Sequence, residues 1–191
     1  MKQLITEIKA CTICKEQLPL GPNPVVQLHS EARILIIGQA PGTKVHASGI
    51  PFQDASGRRL RDWLGVSEDT FYNARQVAIM PMGFCYPGKG PSGDLPPRKE
   101  CAPQWHEQVL DQLSDIRLTL LIGQYAQQYY LQSAAGKTLT DTVRRFLDFA
   151  PARIPLPHPS PRNIRWFKKN PWFEAEVLPF LKDQVRQALN R

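Results

Sequence analysis

Long apolar runs are missing from this 191-residue chain. The longest, Leu118 to Ile122, is broken by Thr119 and falls far short of the ~20 residues a membrane-spanning helix needs, so no membrane partner is expected. A secretory leader is not expected either, because Met1 to Ala10 carries Glu7 and Lys9 where an apolar core would have to lie. Cysteine is scarce, with four in the chain. A chain of this length buries about two-thirds of its unfolded surface and needs no disulfide staples, and the expected compartment is the reducing cytoplasm, where thiols serve as ligands. Carboxylates are outnumbered, 17 Asp and Glu against 24 Lys and Arg, for a net charge of +7. That balance favours an anionic partner. Internal repeats, low-complexity tracts and composition shifts are also missing, so residues 1–191 are expected to form a single domain.

Four short apolar runs punctuate the chain at Arg33–Ile37, Gln76–Met80, Leu118–Ile122 and Arg153–Leu156. Each reads as a strand covered on both faces. Between them the pattern predicts helices at Ser56–Leu64 with Ser56 as N-cap, Lys99–Leu113, Gln124–Leu131 and Phe173–Leu189. Alternating strand and helix imply parallel strands with right-handed crossovers, hence a three-layer α/β/α sandwich around a four-stranded parallel sheet. The segment Gly83–Pro97 holds four Gly and four Pro and is expected to be irregular.

Ligands of such sheets bind beyond the carboxyl ends of the strands. Two loops there carry chemistry. Gly38-Gln39-Ala40-Pro41-Gly42 combines small residues and a proline, letting the backbone approach a flat ligand while the turn stays rigid. His158-Pro159-Ser160-Pro161-Arg162-Asn163 offers an imidazole that can stabilise a leaving group, with a hydroxyl and a guanidinium that can hold phosphate. Arg58, Arg59 and Arg61 could add a phosphate-facing patch, and His46 could line the pocket or stand idle in solvent. His29 and His106 read as structural or solvated, and Tyr125, Tyr129 and Tyr130 as packing of their helix.

Cys11 and Cys14 form a Cys-x2-Cys pair, and Cys85 and Cys101 bracket most of the irregular segment. Two such pairs can complete four-thiolate ligation, of zinc or of an iron-sulfur cluster. Donor chemistry alone does not choose between them.

From Cys11 to about Asn163 the chain resembles the uracil-DNA glycosylase superfamily. The turn Gly38–Gly42 is similar to its first motif, Gly49-Ile50-Pro51-Phe52 followed by Gly57 to its Gly-x-Pro-Phe segment, and His158–Asn163 to its second motif, worded as in the single-strand-selective enzymes. The cysteine order resembles that of the fourth, iron-sulfur family, which implies a structural 4Fe-4S cluster on Cys11, Cys14, Cys85 and Cys101. The resemblance implies an enzyme that flips a nucleotide out of DNA and hydrolyses its N-glycosidic bond, and a monomer is expected. His158 would then donate to the developing base anion, Phe52 would stack on the base, and Gly38, Ala40 and Gly42 would meet its polar edge. Ser160 and Arg162 would hold DNA phosphates, and Ile164, Trp166 and Phe167 would be wedge candidates, with Trp166 assigned to DNA. Two positions depart from the pattern. Gln39 stands where that family has the water-positioning Glu, and a glutamine can orient water but not take its proton. Pro81 stands where it has a base-reading Asn. Asp54 is either a substitute carboxylate or the cap of the next helix. The alternatives are a DNA-binding protein that keeps the fold without turnover, and a zinc-stabilised module.

Overall fold

The computed structural model describes every residue except Ser92 and Arg191. In chain order its elements are α1 (Lys2–Lys9), β1 (Ile34–Ile37), α2 (Thr43–Ser48), α3 (Ala55–Leu64), α4 (Glu68–Tyr72), β2 (Val77–Ile79), β3 (Lys89–Gly90) and β4 (Gly93–Asp94). They continue with α5 (Cys101–Leu110), β5 (Leu118–Ile122), α6 (Gln124–Leu131), α7 (Leu139–Arg144), β6 (Arg153–Leu156), α8 (Ile164–Lys169) and α9 (Leu178–Asn190). No helix among the described residues is long and apolar enough to cross a membrane.

The central sheet is parallel with strand order β2-β1-β5-β6, as the four apolar runs predict. Alternation along β1 sends Ile34 and Ile36 into one core with Leu60, Trp63, Phe71 and Phe173, and Leu35 and Ile37 into the other with Met80, Phe84 and Trp105. Every residue of β1 is therefore buried. The direction of strand addition reverses around β1, which leaves its carboxyl end at the ligand-binding crevice of an open sheet. Both margins of the sheet are closed. Gln27 bridges Ile79 through N–H···O bonds of 3.0 and 2.7 Å alongside β2. On β6 the Arg153 N–H turns outward to Phe149 O, and Pro155, two residues on, puts its missing N–H on that same side.

Three expectations are corrected. Helix α3 begins at Ala55 with Asp54 as its N-cap, because the Asp54 carboxylate accepts the Gly57 N–H at 2.9 Å while Ser56 is buried in the first turn. Helix α5 is shorter than Lys99–Leu113, and beyond Leu110 its backbone tightens into i→i+3 bonds from Gln112 to Val109 and from Leu113 to Leu110. The segment 83–97 contains a small antiparallel ladder in which Lys89 pairs with Asp94 and Gly90 with Gly93. Leu95 N–H closes it on Gly88 O at 2.8 Å.

Candidate active site

The turn after β1 is zipped to the segment after β2, since Gly38 O accepts from Met82 N–H at 2.8 Å and Gln39 O from Gly83 N–H at 3.0 Å. A Cβ on Gly38 would meet Phe52 Cζ at 3.4 Å, so the aromatic ring lies directly on this turn. Phe52 itself is held at φ +56, in the left-handed region that a bulky residue adopts only under constraint. The constraint is visible in α3, where a Cβ at Gly57 would fall 1.7 Å from Phe52 O. Glycine lets the first turn of the helix dock beneath that carbonyl, and the Phe52 ring then meets Phe71 edge-on at 6.2 Å.

His158 follows β6. Its Nδ1 accepts the Ser160 N–H at 3.2 Å, which leaves the proton of the neutral ring on Nε2. Burial lowers its pKa below the usual imidazole value, opposed by the carboxylates of Asp54 and Asp94. The neutral ring at pH 7 is thus a fixed Nε2–H donor. The loop around it is tied down: Asn163 Nδ2 donates to His158 O at 2.8 Å, and Arg162 N–H donates to Ser160 Oγ at 3.2 Å. From α3, Arg59 Nη1 donates to Pro159 O at 3.3 Å and Ser160 O at 3.2 Å, its guanidinium lying over the Phe167 ring at 5.3 Å. One helix therefore seats Phe52 at its start and clamps the histidine loop one turn later.

The expected arginine patch is dispersed by this arrangement. Arg59 faces the loop, Arg61 pairs with Glu68 at 3.1 Å and Tyr72 Oη at 3.4 Å, and Arg58 is exposed.

The two strand-end loops enclose one cavity of about 370 Å³. Gly38, Gln39, Ala40, Gly42, Phe52, Asp54, His158, Ser160 and Arg162 all line it. Trp166 does not. Its indole N–H donates to Thr140 Oγ1 at 2.9 Å and its ring packs on Phe167, Trp172 and Phe173. Of the three wedge candidates Ile164 faces solvent, at 50% exposure. His46 lies on α2 outside the cavity lining, with its ring 6.2 Å from Tyr86. Pro81 does line the cavity, in an apolar stretch with Val25 and Ile79. Its carbonyl is engaged from behind by His106 Nε2 at 3.1 Å. His106 is buried, stacks on Phe84 at 5.6 Å and accepts the Tyr130 hydroxyl at 2.6 Å on Nδ1, and burial pushes its pKa down to about 4.

Sequence reasoning passes over Lys44 and Asp94 in this lining and the clamping role of Arg59. Asp94 arrives on the small ladder, a feature that the Gly/Pro composition conceals.

The four cysteines surround a second, narrow cavity, whose other walls include Ile13, Leu18, Phe84 and Trp105. Cys101 Sγ accepts the Phe84 N–H at 3.3 Å, and Cys14 lies 3.8 Å from a Glu100 carboxylate oxygen. Burial pushes the Cys85 thiol up to about 11 and the Cys101 thiol up to about 12, each raised further by its cysteine neighbours. Among the described residues no three His, Cys, Asp or Glu side chains converge on the position of a single metal ion.

A rigid aromatic ring, a small-residue turn and a neutral imidazole donor around one strand-end cavity define a binding cleft for a planar ligand on an α/β scaffold. The family model of the uracil DNA glycosylase superfamily matches residues 26–182. The chain belongs to the uracil-DNA glycosylase superfamily, a group of glycosylase-type hydrolases acting on DNA.

Proposed function

We propose that this protein hydrolyses the N-glycosidic bond of uracil, or of a related damaged base, extruded from DNA into the 370 Å³ cavity. The observation that carries this reading is the tautomer of His158. With Nδ1 occupied by the Ser160 amide, Nε2–H is the donor left to meet the negative charge that collects on the departing base. A neutral donor stabilises that anion without giving up a proton to it, and its lowered pKa preserves that state at pH 7. Phe52 stacks on the base, and the turn at Gly38 to Gly42 meets its edge. Gln39 orients water through its amide oxygen, while Asp54 and Asp94 supply the negative field that favours a cationic sugar and a proton acceptor for the water. Ser160 and Arg162 bind flanking phosphates.

Cys11, Cys14, Cys85 and Cys101 would hold a 4Fe-4S cluster, with zinc the alternative. Thiols spread around a cavity fit a cluster better than a lone zinc, whose ~2.3 Å bonds draw four sulfurs to one point, and the N–H···S bond to Cys101 is the contact a thiolate ligand accepts. Such a cluster supplies structure, tying the N-terminal segment to the loop after β2.

The test is release of free base from a single strand carrying uracil, followed across a panel of other lesions. His158→Ala is expected to slow release by about 10²-fold to 10³-fold, the effect of deleting one donor to a developing anion. Salt-sensitive binding without release by excess protein would instead support the turnover-free reading that Gln39 motivates, and release unaffected by His158→Ala would refute the assigned role.

A further inference from the structure

We propose that a groove beside the cavity is a track for unpaired nucleotides flanking the extruded one, an inference that rests on the glycosylase reading. The groove encloses about 530 Å³ and is lined by Met82, Pro96, Pro97, Lys99, Tyr125 and Tyr129, with Gln128 and Arg98 beside them. Two chain segments connect it to the base cavity. Pro81 lines the cavity and Met82 the groove; Asp94 lines the cavity and Pro96 and Pro97 the groove. The segments press together between the two openings, where a Cβ on Gly83 would lie 3.0 Å from Pro97 Cβ. A strand that extends more than a nucleotide or so beyond the cavity on that side therefore runs on into this groove.

The lining suits nucleobases. Tyr125 and Tyr129, one turn apart on α6, are 38% and 43% exposed, a large aromatic area for residues expected to be packing. Tyr129 is braced edge-on by Tyr130 at 5.1 Å and by His106 at 6.1 Å, so the platform is rigid before anything binds. The described lining holds cations and no carboxylate. Arg98 is spent on Glu100 at 2.6 Å, which leaves Lys99 for a phosphate. Exposed rings with a cation alongside are how proteins hold single strands, each stacked base contributing ~1–3 kcal/mol. A duplex keeps its base faces stacked on one another and cannot use such a platform.

The experiment compares kcat/KM for base release from a 15-nucleotide and a three-nucleotide uracil strand, using the full chain, its Tyr125→Ala/Tyr129→Ala variant and the corresponding double Phe variant. The Ala pair is expected to lower kcat/KM on the long strand about 30-fold through KM while changing the short one by less than about two-fold, and the Phe pair is expected to match the parent. Both rings are exposed, and an unchanged thermal midpoint checks the fold. Equal loss on both strands, or no loss on the long one, overturns the track while leaving the glycosylase reading intact. No release by the parent protein from either strand removes both.

Discussion

The two cavities of this molecule are built on opposite principles, although residues 81–85 run from one to the other. The cavity between the strand-end loops is open and sets polar groups against an apolar wall, and its geometry is set by backbone: a left-handed Phe52, a glycine beneath it and an amide that dictates a tautomer. The cysteine cavity is narrow and lined largely by apolar side chains, and its character comes from the donor atoms gathered there. A backbone-defined site is broken by adding a single methyl group, whereas a donor-defined site is broken by removing a single atom.

Removing a sulfur should have the largest effect. On the proposed cluster, Cys101→Ala is expected to abolish bound iron and acid-labile sulfide and to lower the thermal midpoint, measured by elemental analysis and calorimetry. Adding a methyl makes the converse case. Gly57→Ala places a carbon against Phe52 O and is expected to cost about 3 kcal/mol in chemical denaturation and to cripple base release, with iron content preserved.

A third prediction concerns the partition between the cavities. Below pH 6.5 the unfolded chain protonates His106, whereas the folded chain refuses the proton until about pH 4. Stability should therefore fall by about 3 kcal/mol as pH drops across that window, because the unfolded state binds more protons there. His106→Phe should be less stable at pH 7 yet lose less on acidification, as read from urea midpoints. The smallest expected effect belongs to Arg59→Ala. Losing two bonds to the histidine loop should reduce kcat about ten-fold with KM nearly unchanged, and Arg59→Lys should recover part of it.

Strand positions were legible to within a residue or so because each strand is a compact apolar run between breakers, and α6 matches its expected bounds. The loops at 38–42 and 158–163 were legible as strand-end turns for the same reason. What escaped was decided by distant contacts. Ser56 and Asp54 are both good capping residues, and local sequence does not say which of them starts the helix. Trp166 looks available to DNA until Thr140 and the Trp172–Phe173 pair arrive from other segments to enclose it. Arg59 reads as one of three similar arginines, and only the approach of α3 to the loop after β6 singles it out.

The closed margins of the sheet limit how copies of this protein can meet. A row of free amides and carbonyls is an invitation to another chain, and here one side is taken by Gln27 while the other is interrupted at Pro155. The central sheet therefore offers a neighbouring molecule no continuous row of donors on which to lengthen its ladder.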